Sequence, residues 1–304
     1  MKHTSRRGIQ LLVAALFFII MSTTGVSAGE VDSSSPTLSG ILSSKVLRVG
    51  VNPLFKPFSF AKNGQQVGVD IDIAKLLAKK LGVEVKIVVP KSFSELIPML
   101  QANDIDMIMA GMSITFDRAK VIDFSNPYFE TGLSILLNKV SSVGLGISAA
   151  PDYISLEKEL IGNGKMSKLN IAVTQGKAPQ RAVPAFFPGA NIKGYPTNEE
   201  AAAATLKGEA DIMVHDEIFL KVWLKENAKT AKYRAVVLDP PFKPDYYGIG
   251  IRKGNQDLLN MLNVFVRELQ SNGQVEKFLG QYLPITTKVV TRSYNLNEDY
   301  YGGD

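Results

Sequence analysis

The chain has 304 residues, 45% hydrophobic and 21% charged, with a formal charge of +5, two histidines and no cysteine. This composition excludes a fibre, a disordered tail and a disulfide-stapled module, and it supplies apolar material for one large or two modest cores. Lys2, Arg6 and Arg7 lie in a segment read as removed, which leaves about +2 and no basic stripe suited to nucleic acid.

Residues 1–28 read as a secretory signal peptide. Those three cations precede the apolar run Leu11 to Met21, and the small residues Val26-Ser27-Ala28 precede a break. The run is shorter than the about 20 residues of a membrane span, and no later run approaches that length. With no Cys to carry a lipid, a freely soluble periplasmic protein is predicted. Residues 29–44, rich in Ser, Gly and Pro near their start, are predicted to be a flexible leader.

Val46 to Val51 is a predicted strand, followed by the loop Asn52-Pro53-Leu54-Phe55-Lys56-Pro57-Phe58. Its prolines fix φ, so Phe55 can stand as an aromatic wall at low entropic cost, whereas Phe58 is assigned to the core. A helix is expected to about Leu81, with Ile73, Leu76, Leu77 and Leu81 on one face and Gly82 as its stop. Asp70 suits its N-cap, and capping accounts for the Asp70/Asp72 pair more cheaply than metal or acid–base chemistry does. A strand over Val83 to Val89, a helix over Phe93 to Leu100 and a buried strand over Met107 to Ala110 complete a β-α-β-α-β rhythm. That rhythm implies a parallel sheet covered by helices.

Thr131 to Asn138 leaves this unit, and a second one echoes it. Leu169 to Val173 is a strand, Gln175 to Pro179 a turn and helix start, Ala201 to Leu206 a helix, and Ala210 to Val214 a strand ending at His215-Asp216. Asp245 to Arg252 is expected to return the chain as one strand. Helices over Gln256 to Gln270 and Gln274 to Tyr282 follow, then a loosely ordered tail, 286–304. The predicted fold is α/β with two βα lobes joined by two hinge strands. Lobe one comprises 45–132 and 246–285, and lobe two 133–245.

The chemistry concentrates where the strands end. Gly111 permits close backbone approach, Ser113 and Thr115 add hydroxyls, and the Arg118 fork can hold a carboxylate through two parallel hydrogen bonds. Asp216, after the corresponding strand of the second unit, can meet an ammonium, so a zwitterion bridging the lobes is the expected guest. His215, as the strand neighbour of Asp216, is expected on the opposite face.

Several motifs together resemble the family 3 periplasmic solute-binding proteins, the polar amino-acid receptors of ABC importers. These are Phe55-Lys56-Pro57-Phe58, Gly68-Val69-Asp70-Ile71-Asp72, Ala110-Gly111-Met112-Ser113-Ile114-Thr115 with Arg118, Asp123-Phe124-Ser125 with Pro127-Tyr128, and Gly208-Glu209-Ala210-Asp211 with Asp216. The similarity covers roughly Val46 to Leu283. It implies a type 2 periplasmic-binding fold in which Phe55 and Phe93 flank the ligand side chain, Gly111, Ser113 and Arg118 hold the α-carboxylate, and Asp216 takes the α-ammonium. Asn52 stands where relatives selecting basic side chains look to carry an acid, which argues against lysine or arginine as ligand. Gly176-Lys177-Ala178 departs from the hydroxyl residues usual at this helix start. The backbone there can still attract an anion, and Lys177 can add a cation for an acidic side chain or remain solvated at the rim. The implied partners are a free amino acid and a membrane permease, with the chain a monomer and no cofactor, metal or catalytic residue expected. Two alternatives stand beside this reading: a cyclohexadienyl dehydratase-like enzyme, whose acid at this helix start is replaced here by Pro179 and Gln180, and a sensor without transport.

Overall fold

Residues 35–147 and 150–283 are described in the computed structural model of the chain; the signal-peptide expectation and the tail 286–304 lie outside them. The first described element corrects the leader. Pro36–Ser44 is helix α1, with Pro at its start and Lys45 at φ 57° ending it. It is held by distant groups: the Thr37 amide donates to Asn255 Oδ1, and Arg252 donates to Thr37 Oγ1.

Strand β1 (Val46–Gly50) is followed by the hairpin β2 (Phe60–Lys62) and β3 (Gln65–Val67), helix α2 (Val69–Leu81) and β4 (Glu84–Val88). A single 3₁₀ turn at Phe93–Glu95 runs into α3 (Leu96–Gln101), and then come β5 (Met107–Ile108), α4 (Phe116–Ala119) and β6 (Asp123–Phe124). Gly82 ends α2 as expected, in the left-handed region. The N-cap position of α2 is Gly68, not Asp70: Asp70 lies in the first turn, fully buried, and accepts the Tyr128 hydroxyl at 2.6 Å.

The second unit begins with β7 (Phe129–Asn138) and continues through α5 (Lys139–Gly144), α6 (Tyr153–Gly162), β8 (Asn170–Thr174), α7 (Ala178–Phe186) and β9 (Asn191–Tyr195). It ends with α8 (Asn198–Lys207), β10 (Ile212–Asp216), α9 (Glu217–Glu226), α10 (Ala228–Ala231), β11 (Ala235–Val237) and β12 (Lys243–Tyr247). The chain then returns through β13 (Gly250–Ile251) to α11 (Gln256–Ser271) and α12 (Gln274–Tyr282). The single return strand expected over Asp245 to Arg252 is therefore two strands, in different sheets and separated at Gly248 and Ile249.

The sheets carry the internal echo. One is ordered β4-β1-β5-β13-β6 and the other β11-β7-β10-β8-β9, with β12 also paired to β7. Parallel β4-β1-β5 corresponds to parallel β9-β8-β10, and each trio meets an antiparallel strand, β13 or β7. Neither sheet is wholly parallel, because the chain crosses between them twice and its crossing strands run against the trio. Asp106, just before β5, accepts the Arg48 amide of β1 at 2.7 Å, and Asp211, just before β10, accepts the Asn170 amide of β8 at 2.8 Å. The same buried acid thus pins the same pair of strands in both units. The passages between sheets fall at 125–128 and 248–249, so 129–132, expected in lobe one, run in the second sheet.

The cores sit under these sheets. Leu96, Leu100, Ile105, Ile108 and Ile122 are fully buried in the first, and Ile135, Ile171, Val173, Ile212 and Val214 in the second. Each such side chain contributes about 1.5–3 kcal/mol by leaving water. Stiff sheets result, and the carboxyl ends of their strands face one another.

Candidate functional site

Four strand ends supply the site: β1 leads to Phe55, β5 to Gly111 and Arg118, β8 to Lys177, and β10 to Asp216. All four border one cavity of about 20 Å³, room for about one water, together with Phe93, Ser113, Ala178 and, from β12 and beyond the predicted set, Asp245 and Tyr247. Eight of the nine sequence-derived site residues are brought together. Asn52 is the exception. It is buried below the loop, where its Oδ1 accepts the Leu54 amide and its main-chain oxygen accepts the Ser59 hydroxyl, because the turn into the Phe55 loop needs those bonds.

Gly111 has φ 54°, and a Cβ there would lie 2.3 Å from the Phe55 ring. Only glycine satisfies both conditions at once. The wall it touches is an aromatic group at the crossing: Phe55 stacks on Phe58 at 5.1 Å, and Tyr247 stands edge-on to both.

Arg118 is buried. Its Nη1 donates to the Ser113 carbonyl at 2.8 Å, its Nη2 donates across to the Gly176 carbonyl at 3.3 Å, and its guanidinium lies 5.3 Å from the Phe93 ring centre. Burial lowers its pKa to about 10, which leaves it a cation at neutral pH, and Asp245 helps keep it charged. Ser113 spends its hydroxyl proton on Asp245 at 2.7 Å, so its hydroxyl is committed to orienting that acid. Burial raises the Asp245 carboxyl above its ordinary range.

Asp216 ends β10 and caps α9. Its Oδ1 accepts the Ile218 amide at 2.9 Å, and its Oδ2 accepts the Tyr247 hydroxyl. Burial pushes its carboxyl up to about 7. His215, expected on the opposite face, also lines the cavity. Its Nε2 lies 3.0 Å from Asn198 Oδ1, its Nδ1 has no partner among the described residues, and burial keeps it neutral, with its pKa well below the usual value.

Lys177 is buried, not solvated at a rim. Its ammonium lies 4.0 Å from the Phe93 ring centre and 4.7 Å from that of Phe55, and among the described residues it forms no ion pair with a carboxylate. Burial, then the Arg118 charge, lowers its pKa to about 7. It precedes α7, whose first amides favour an anion. The expectation missed Asp245, Tyr247 and His215. Adjacency to Asp216 could have flagged His215, whereas the other two come from a strand that carries no local signal of a site.

Residues 47–285 match the sequence profile of the bacterial extracellular solute-binding proteins, family 3. The ABC transporter glutamine-binding protein GlnH of Bacillus subtilis is 29% identical over 282 residues, 90% of this chain and 96% of its own. Among solved structures, an ancestral amino acid-binding protein described as a precursor of cyclohexadienyl dehydratase is 36% identical with a TM-score of 0.67, covering 82% of this chain and all of that one. An ancestral arginine-binding protein bound to arginine is 32% identical with a TM-score of 0.66, over 79% of this chain and 99% of its own.

Proposed function

The chain belongs to the bacterial extracellular solute-binding proteins of family 3, and from that membership we propose that it is an exported, monomeric periplasmic receptor. It holds one free amino acid between its two lobes and presents it to the membrane permease of an ABC importer. The observation that carries the reading is that Arg118 of the first unit and Asp216 of the second border one cavity between aromatic walls. Arg118, with the backbone at Gly111 and Ser113 and the start of α7, takes the α-carboxylate. Asp216 takes the α-ammonium, since each of its oxygens keeps accepting capacity beyond the bonds it makes. The ligand side chain lies between Phe55 and Phe93. An opening and closing of the lobes about the two crossings admits the ligand and hands the closed form to the permease.

Thermal denaturation of the mature chain against the twenty common amino acids tests this. A ligand at about 100 times its dissociation constant stabilises by roughly 2.7 kcal/mol, seen as a raised midpoint. Arg118→Ala is expected to weaken that ligand by about 2–5 kcal/mol, because a desolvated carboxylate loses its partner. Binding undiminished in the variant would overturn the carboxylate assignment.

The 36% identity to a precursor of cyclohexadienyl dehydratase favours one second reading, an eliminating enzyme in the same cleft. At the start of α7 Gln180 accepts the Gly176 amide at 2.8 Å, and neither it nor Pro179 can give a proton, so the binding reading is preferred. Appearance of an aromatic product from prephenate or arogenate would reverse that preference.

A further inference from the structure

We infer that Lys177 makes this cleft select ligands with a second anionic group, so that the preferred guest is an acidic amino acid and not a cationic or neutral one. The inference rests on the amino-acid-receptor reading and narrows it.

The carrying observation is where the ammonium lies. Lys177 is 93% buried, and its Nζ occupies the gap between the Phe93 and Phe55 rings, the gap assigned above to the ligand side chain. A ring face attracts a cation, so two facing rings form a box suited to a basic side chain. In this chain a cation on the protein already fills that box. A ligand ammonium or guanidinium entering it would have to displace Lys177 and would meet Arg118, whose charge already bears on Lys177.

Among the described residues the ammonium also forms no ion pair with a carboxylate. Desolvated cations are ordinarily paired, and an unpaired one calls for an anion from outside. The carboxylates around it have other work: Asp216 caps α9 and accepts from Tyr247, Asp245 accepts from Ser113, and Asp70 accepts from Tyr128. On the anionic side Glu199 Oε2 and Asp70 Oδ2 are buried without a partner among the described residues, burial raises the pKa of both, and neither forms an ion pair with the Lys177 ammonium. A ligand side-chain carboxylate would supply the missing partner while Lys177's four-carbon stem swings aside, and its charge would restore the ammonium that burial otherwise weakens. Arg118 and Asp216 would still take the α-carboxylate and α-ammonium.

Isosteric pairs give the sharpest test, because each acid differs from its amide by little more than charge. Calorimetric titration of the mature chain at pH 6.5 is expected to show L-aspartate over L-asparagine, or L-glutamate over L-glutamine, by at least about tenfold, a difference of about 1.4 kcal/mol. L-Arginine and L-lysine are expected to bind more weakly than either acid. Lys177→Met should erase the acid preference and improve arginine binding, while Lys177→Arg should keep the preference. Melting of each variant without ligand checks that it folds, and if the Met variant does not, the wild-type pairs still decide. Tighter binding of an amide, of arginine or of lysine by the wild type overturns the inference and leaves the receptor reading standing. So does an acid preference that survives Lys177→Met. If no amino acid binds, both fall.

Discussion

Asp70 carries a burial cost that the protein can reveal by titration. One carboxylate oxygen accepts from Tyr128 at 2.6 Å, and the other, buried, has no partner among the described residues. Burial raises its pKa to about 7, against roughly 3.9 in an unfolded chain. The folded state therefore holds a proton that the unfolded state releases between about pH 4 and 7. The associated stability is complete below the unfolded value and is lost as pH rises through about 7. Asp216 slopes the same way, whereas Lys177, with its pKa lowered to about 7, adds stability as pH climbs beyond it. Asp70→Asn keeps an acceptor for Tyr128 and removes one titration, so subtracting its melting curve from wild type cancels the Asp216 contribution and leaves that of Lys177 only through its attraction to Asp70. The variant's midpoint is expected to gain on wild type from pH 5 to about pH 7 and to level off by pH 8. Parallel midpoints over that range would show that Asp70 is not protonated by burial.

At the scale of elements, α1 shows how a segment can be fixed by residues far along the chain. Arg252 donates to the carbonyls of Leu100 at 3.0 Å and Ile105 at 2.8 Å, and to Thr37 Oγ1 at 2.7 Å, tying α1 to the end of α3 and to β13. Hydrogen bonds from a charged donor are worth about 1.5–3 kcal/mol each, and part of that is recovered by water at this half-buried site. Arg252→Ala is thus expected to lower stability in urea by about 2–3 kcal/mol while ligand affinity, set in the cleft, stays unchanged. A loss below half a kcal/mol would mean that α1 docks without it. The same distance explains what sequence reading could reach. Helix periodicity, Gly82 and the β-α-β rhythm are local, so α2, β5 and the repeat were legible, as were Phe55, Gly111 and Arg118 on the loops they punctuate. Helix α1 read as leader because its anchors lie more than 200 residues away. Asp245 and Tyr247 were missed because period-two alternation marks the faces of a strand without saying what faces them. Lys177 was visible as a departure, but its burial depends on two rings from the other unit.

At the scale of the whole molecule, the two units touch both inside, beside the cavity, and at the surface. Inside, Arg118 donates to the Gly176 carbonyl, while at the surface Lys56 of the first unit pairs with Glu226 of the second at 3.1 Å. These contacts differ in worth because they differ in water. The inner bond sits among buried groups, whereas the outer pair is about 38% and 47% exposed, so its attraction is screened and offset by the ordering of two long side chains. A pair of this kind contributes about 0.2–1 kcal/mol to holding the two units together, and in the proposed clamp ligand affinity depends on that closure. Lys56→Ala is therefore expected to weaken amino-acid binding by no more than about fivefold in low salt. The gap between wild type and variant should narrow at 0.5 M NaCl, where screening acts over a length of about 4 Å, comparable to the separation of this exposed pair. Calorimetry of both proteins at 20 mM and 0.5 M NaCl measures the two quantities together. A loss beyond tenfold, or one indifferent to salt, would place the closing energy in the surface pair and remove it from the buried contacts around Arg118.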